Sequence, residues 1–385
     1  MGAMMDDTTR LVERLARLVA FDTQNPPGRE AECAEFIAGE LAALGCAVET
    51  DVFEPGRANV VGRISNGPGP VFAFNTHIDV VPAGGGWTGD PLRLRAQGDR
   101  LVARGACDAK GPLAAMIEAM ALLAADRASW SGTLLGVFVA DEEAASRGAR
   151  HYAEGRPKVD LVVVGEPSGN APIIAHKGSL RPLVRVCGCT AHSGTPDLGV
   201  NAIYQAGRLL PRLAAYHLGL AGRAHPLVGP PSLTVTRAQA GLADNMVPDA
   251  CELLLDRRLV PGETEAAVVD EIRQLLDAAR REDGIETEIL ALKPTTGGAS
   301  GTTPDHPIIE AAIEAGRRHG VVDPRPFGFQ GACDLVHFRA LGAEGLVLGP
   351  GDLAVAHKPD EFVPRSELAA SALIYRDIAR ALMAS

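Results

Sequence analysis

PVFAFNTHID (residues 70–79) runs through Val, Phe and Ala, then turns abruptly polar at His77 and Asp79. An apolar run with so little alternation is the pattern of a strand buried on both faces, as in a parallel sheet covered by helices. The same composition recurs in ANVVGRI (58–64), TLLGVFVAD (133–141) and DLVVVGEP (160–167). Between PVFAFNTHID and TLLGVFVAD lies PLAAMIEAMALLAA (112–125), long enough for a buried helix. Strands alternating with helices predict an α/β layer on a mixed, largely parallel sheet. Upstream, TTRLVERLARLVAF (8–21) puts Leu11, Leu15 and Leu18 on one helical face. The turn cluster DTQNPPG (22–28) stops it, and a second helix, AECAEFIAGELAALG (31–45), ends at Gly45.

Near residue 180 the pattern changes. SLRPLVRVCGCT (179–190) reads as a strand, NAIYQAGRLLPRLAAY (201–216) as a helix, and SLTVTRAQA (232–240) and DACELLLDRRL (249–259) as two strands. The helix ETEAAVVDEIRQLLDAARRE (263–282) and the strand IETEILAL (285–292) complete a β-α-β-β-α-β order, that of a ferredoxin-like module. The module is an insertion, because helix and strand alternate again in HPIIEAAIEAGRRHG (306–320) and GLVLGPG (345–351) after the Gly/Thr-rich linker KPTTGGASGTTPDH (293–306). The expected boundaries are 1–178 and 294–385 for the two parts of the first domain and 179–293 for the insertion.

A chain of 385 residues has room for two domains, and its 46% hydrophobic and 22% charged residues are ordinary for a soluble globular protein. No window of about 18 apolar residues suggests a membrane span. The start, MGAMMDDTTR, has neither a basic nor an apolar leader region, and Asp6 stands where a myristoylation motif needs Ser or Thr. A net charge of −11 with no basic run argues against nucleic acid or anionic membrane as partner. Seven scattered cysteines suit a reducing, cytoplasmic compartment. They lack the CxxC pairs of a structural zinc site, although Cys187 and Cys189 would share one strand face.

The polar residues of interest fall at strand ends. His77 and Asp79 follow one strand, Glu142 and Glu143 a second, and Glu166 a third; Asp108 sits in a Gly-flanked loop before a helix, and His357 follows GLVLGPG. In a parallel α/β sheet the carboxyl ends of the strands open on one crevice. Taken singly, a His-x-Asp is commonly a satisfied polar pair and adjacent glutamates a solvated loop. Together they supply what a two-metal hydrolase needs: imidazoles, carboxylates, a bridging acid and a spare base beside water. In His-x-Asp the two side chains share a face, so Asp79 can orient His77. Consecutive glutamates diverge, so one can bind metal while the other addresses water.

At these residues the chain resembles the co-catalytic zinc deacylases and peptidases, a family that includes acetylornithine deacetylase, succinyl-diaminopimelate desuccinylase, aminoacylase and carboxypeptidase G. The matching stretches are NTHIDVVPAGGGWTGDP (75–91), ARGACDAKGPLAA (103–115), DEEAASRGA (141–149), GEPSG (165–169), AHKG (175–178), AHSGTPDLGVNAI (191–203), LDRRLVPGE (255–263) and GPGDLAVAHKPDEFV (349–363), in the family's order. The resemblance implies a zinc-peptidase-like catalytic domain with an inserted ferredoxin-like lid, through which two copies form a homodimer. It implies that His77, Asp108 and Glu166 hold one Zn2+, and that His357, Glu143 and the shared Asp108 hold the other, with Co2+ or Mn2+ as substitutes. Glu142 is then the general base and Asp79 the residue behind His77. His192 binds the oxyanion in its own or the partner subunit's site, and Arg258 and Asn245 grip a substrate carboxylate.

GACD occurs twice, at 105–108 and 331–334. By the resemblance the first copy carries the bridging Asp108, with Gly105 and Gly111 permitting the tight loop. The second falls on a Gly-rich substrate-contact turn beginning at Gly331, with Cys333 where the family commonly has Thr. Asp334 is therefore expected to be a structural or substrate-side residue rather than a ligand. The expected activity is metal-dependent hydrolysis of the amide bond of a small N-acyl amino acid with a free carboxylate. A dipeptidase or carboxypeptidase of the same family is the alternative. A non-catalytic binding protein on the same fold would be expected to lack Glu142 or a ligand, and a thiol enzyme would need Cys107 or Cys333.

Overall fold

Four of the apolar runs pair in parallel. In this computed structural model, which describes residues 2–384, Gly132–Val139, Val71–His77, Leu161–Val164 and Glu344–Val347 lie side by side in that order. Met1 and Ser385 lie outside the described residues. The register levels the carboxyl ends: His77 is opposite Val139, and Val164 is opposite both Asn75 and Val347. ANVVGRI, grouped with these runs by composition, instead lies in Arg57–Asn66, which pairs antiparallel with Gly132–Val139. It forms a hairpin with the outer strand Ala47–Glu54, whose mostly exposed and half-buried residues gave no apolar run to read. The connecting Pro55-Gly56 turn uses Gly56 at φ 81°, a conformation that favours glycine.

The helix Lys110–Ala125 is buried almost all round, as its largely apolar composition requires. It packs against the sheet strands Val71–His77 and Gly132–Val139, and against the C-terminal helix Arg365–Met383. Its single carboxylate, Glu118, is met by Arg10 and by Arg14 at 2.7 Å, so the buried charge is paired. Ala31–Ala43 ends at Leu44, and Gly45 follows at φ 78°.

The chain divides into two compact units. One holds the residues up to Ile174, Gly301–Gly328 and those from Cys333 onward; the other holds Ala175–Ser300 and Phe329–Ala332. Within the second, an antiparallel sheet runs in the order Ser232–Ala240, Ala250–Leu259, Gly178–Cys187, Thr287–Lys293. The helices Ala202–Gly219 and Glu265–Asp283 cover it through Leu209, Leu213, Val268 and Ile272, which pack with Val184, Leu253 and Leu255. This is the ferredoxin-like arrangement read from the element order. Asn201 caps the first helix by accepting from Ile203 and Tyr204 N–H, and Gly284 closes the second at φ 66°.

Candidate metal and active site

Six of the sequence-predicted residues gather at the levelled strand ends of the larger unit. His77 is the last residue of its strand. Its Nε2 stands 3.2 Å from Asp108 Oδ1 and 3.8 Å from Glu166 Oε1. The other Asp108 oxygen, Oδ2, stands 3.2 Å from His357 Nε2, and His357 Nε2 is also 3.2 Å from Glu143 Oε2. Asp108 therefore offers one oxygen to each imidazole. Ligand atoms about 2.0–2.1 Å from a tetrahedral ion stand about 3.3–3.4 Å apart, so the 3.2 Å separations, hydrogen bonds as they stand, are also compatible with donors around shared ions. His77, Asp108 and Glu143 offer atoms all within 4.8 Å of one another, and so do His77, Glu142 and Glu166.

The donor chemistry fits divalent cations. Two imidazoles face Asp108, Glu142, Glu143 and Glu166, with Asp334 buried nearby, an excess of negative charge. Among the described residues Glu143 Oε1 is buried with no hydrogen-bond partner, a lone pair aimed at something the protein does not supply. Burial opposes the charging of His77, but Asp108 and Glu166 override it and hold its pKa well above the usual histidine range. Hydrogen bonds to Asp108 and Glu143 push His357 up to about 10. Burial raises Glu166 to about 8, and burial followed by the Glu166 charge lifts Glu142 well above the usual carboxylate range. The cluster attracts positive charge, by protons or by metal.

Local backbone explains how the loops reach this geometry. Gly105 takes φ 81°, and a Cβ on Gly111 would stand 2.3 Å from Ala106 O, so both glycines are needed in the Asp108 loop. His357 at φ 61° and Asp141 at φ 70° are left-handed non-glycine residues. Strain of that kind persists where surrounding contacts over-determine it.

Asp79 differs in detail from expectation. His77 Nδ1 meets the Asp79 main-chain carbonyl at 2.9 Å, while the nearer carboxylate oxygen is 3.7 Å away. The Asp79 carboxylate instead accepts from the main-chain N–H of Glu142 at 3.0 Å and of Glu143 at 3.2 Å. It positions the glutamate pair as much as the imidazole.

Sequence reading missed the residues that brace these loops. Glu361 accepts from the N–H of Cys107 (2.9 Å) and of Asp108 (3.0 Å) while pairing with buried Arg104, whose guanidinium lies 5.1 Å from the Trp87 ring centroid. Asn25 donates to Asp79 and to Asp141, and Arg57 supports both Asn25 and Asp141. Glu361 and Arg104 lie inside the motifs of the resemblance, and Asn25 lies in the turn cluster DTQNPPG. Asp334 is buried, and its charge and that of Asp108 are both felt at Glu166, so the two GACD aspartates do approach one group. Burial drives the Cys107 and Cys333 thiols well above their usual pKa, the reverse of a reactive thiolate.

The remaining predicted residues belong to the smaller unit. His192 and Asn245 are exposed neighbours: His192 forms an isolated bridge with Met246, and Ser193 N donates to Asn245 O at 3.0 Å. His192 Nδ1 accepts from Gly194 N–H at 3.0 Å, which in the neutral ring leaves the proton on Nε2. Arg258 donates from Nε to Asp256 at 2.7 Å. A Cβ on Gly331 would stand 2.2 Å from the Phe329 ring, so a larger residue there would have to move that ring.

The sheet and its rim of imidazoles and carboxylates define a metal-dependent amidohydrolase. The chain belongs to peptidase family M20/M25/M40, whose profile matches residues 73–381. It is 34% identical over 385 residues to an acetylornithine deacetylase of Myxococcus xanthus, covering 95% of each chain. Its fold is that of an M20 family metallo-carboxypeptidase from Sulfolobus solfataricus (TM-score 0.78, 18% identity, 96% of this chain and 98% of that one). It is likewise that of a dinuclear metal binding peptidase of the M20 family from Bacillus subtilis (TM-score 0.74, 20% identity, 98% and 99%). No helix among the described residues is long and apolar enough to cross a membrane.

Proposed function

We propose that this chain is a deacetylase or desuccinylase of small N-acyl amino acids that carry a free carboxylate. The observation that carries the reading is Asp108, with one oxygen 3.2 Å from each of two imidazoles and glutamates on either side. The identity to an acetylornithine deacetylase along both chains supports the substrate class. His77, Asp108 and Glu166 would hold one cation, and His357, Glu143 and the shared Asp108 the other. Zinc suits this imidazole and carboxylate set, with cobalt or manganese as substitutes. When bound, the pair supplies Lewis-acid polarisation of the acyl carbonyl and a lowered pKa for the attacking water.

Glu142 takes a proton from the water as its oxygen adds to the acyl carbon. It returns that proton to the amine nitrogen as the C–N bond breaks, so the products are a carboxylic acid and a neutral amine. Asp79 holds the Glu142 and Glu143 main chain while this happens. His192, with its proton on Nε2, is a donor suited to the oxyanion in its own site or the partner subunit's. Arg258 and Asn245 would bind the substrate carboxylate, with Gly331 in the turn beside it. A guanidinium already steadied by Asp256 retains donors for a second carboxylate.

The smaller unit is the proposed lid and homodimer surface. Ser232–Ala240 is an edge strand with mostly exposed residues, and Leu198, Ile203, Tyr204 and Leu210 are exposed apolar side chains of the same unit. Light scattering should give twice the 40.2 kDa chain mass; a monomer at micromolar concentration would remove the dimer. Seven free cysteines support a reducing cytoplasm, and a net charge of −11 speaks against nucleic acid or anionic membrane as partner.

The test is amine release from N-acetyl-ornithine, N-succinyl-diaminopimelate, other N-acyl amino acids and simple dipeptides, with chelator-stripped protein before and after added zinc. Zinc-dependent turnover of an N-acyl amino acid is expected. Turnover of dipeptides alone would move the chain to the peptidase alternative, and two bound zincs with no turnover anywhere would keep the metal site but put the substrate outside these classes. On the same panel, Arg258→Ala should raise KM about 10- to 100-fold, the worth of one charge-assisted contact. An equal rise for an amidated analogue would show that Arg258 does not read the carboxylate.

A further inference from the structure

We infer that Asn25, in the NPPG turn, is a positioning residue for the Glu142–Glu143 pair. The inference rests on the reading of Glu142 as the general base. Asn25 is 4% exposed, and its Nδ2 donates to Asp79 Oδ2 and to Asp141 Oδ1, both at 2.9 Å. Its Oδ1 accepts from Arg57 Nη2 at 2.8 Å. Carboxylates on one side and a guanidinium on the other fix which way round the amide lies.

Both carboxylates that Asn25 joins control the same turn. Asp79 binds the N–H groups of Glu142 and Glu143, and Asp141 is the residue immediately before them. Asp141 sits at φ 70° and is itself held by Arg57 Nη1 at 2.6 Å and Arg147 Nε at 2.6 Å. Asp79 and Asp141 are fully buried, and two such charges brought near each other repel unless donors stand between them. Asn25 is that donor, and it is neutral, so it adds no third charge. The strand-like contact of its own segment, with Asn25 N to Val80 O at 2.8 Å and Thr23 Oγ1 to Ile78 O at 2.9 Å, ties the turn to the chain that follows His77. The NPPG loop thus links the His77 strand end to the glutamate turn through one amide.

Without the amide, Asp79 and Asp141 lose the donor they share, Arg57 loses an acceptor, and Asp141 keeps only its arginine partners, with no tie to Asp79. Glu142 then samples positions away from the attacking water, a loss felt in turnover rather than in substrate binding. The test compares Asn25→Ala, Glu142→Ala and the double variant as zinc-loaded full-length protein, on the fastest substrate of the panel above. Asn25→Ala is expected to lower kcat about 10- to 100-fold with KM changed by less than about threefold. In the Glu142→Ala background it should cost less than about a further threefold, because the group it positions is gone. Wild-type kcat in Asn25→Ala, or a full repeat of its loss in the Glu142→Ala background, would overturn the inference. If Asn25→Ala does not fold, Asn25→Ser enters the same comparison and is held to the same two outcomes. Near-normal turnover of Glu142→Ala alone would instead remove the general base, and the positioning role with it.

Discussion

Replacing Glu142 with alanine is expected to lower kcat by about 10²- to 10⁴-fold, the usual worth of a positioned acid–base group. The protein should still bind two metals, because His77, Asp108, Glu143, Glu166 and His357 keep their contacts with one another. The magnitude follows from where Glu142 sits. Its main chain is anchored to Asp79, and its carboxylate lies in one cluster with His77 and Glu166. Burial and then the Glu166 charge raise its proton affinity above that of an ordinary glutamate. A carboxyl whose proton affinity is raised is a stronger base toward the attacking water than an ordinary glutamate. Glu142→Gln keeps the shape and removes only the basicity, so it should lose nearly as much. The decisive pair of measurements is kcat and metal content by atomic emission. Near-normal turnover with two metals bound would take Glu142 out of the mechanism. Loss of metal together with turnover would make it a ligand.

What the chain reveals by reading differs with the range of the interaction. The parallel strands were legible because burial on both faces writes itself into consecutive residues, and His77, Glu142, Glu143 and Glu166 were legible because they stand at the ends of those runs. The hairpin strand Ala47–Glu54 was not, since its exposed edge carries no apolar signal. The bracing network was hidden for another reason. Asn25 meets Asp79 across 54 residues and Asp141 across 116, and Glu361 meets Cys107 across 254. No local period encodes such pairs, and a buried Asn or Glu in a loop looks the same in sequence as a solvated one. Asp79 shows the limit within a recognised motif. His-x-Asp suggests a carboxylate behind an imidazole, yet the nearer partner of His77 is the Asp79 carbonyl, and the carboxylate serves the Glu142–Glu143 turn.

Asp108→Ala should abolish zinc-dependent behaviour altogether, a larger effect than loss of either glutamate ligand. Among the described residues Asp108 is the one side chain that contacts both imidazoles, through different oxygens, so its removal reaches both proposed cation sites at once. A ligand that binds only the folded state stabilises it by about 2.7 kcal/mol at 100 times its Kd and about 4.1 at 1,000 times. At about 2–4 °C per kcal/mol for a domain of 150–250 residues, zinc should raise the melting temperature of the stripped wild-type protein by roughly 5–15 °C. The Asp108→Ala protein should show almost none of that shift and no measurable turnover. Part of the difference already exists without metal. Burial disfavours the Asp108 charge, yet His357 and His77 hold its pKa below the usual carboxylate range, so removing it leaves two imidazoles without their shared partner. Asp108→Asn separates these contributions: it preserves packing and the Glu361 contacts to the 107–108 main chain while removing the charge. If the asparagine protein melts like stripped wild type and no longer responds to zinc, the carboxylate acts by bridging cations. A full zinc shift in either variant would mean that the two cation sites do not depend on Asp108, and the partition of ligands between them would have to be redrawn.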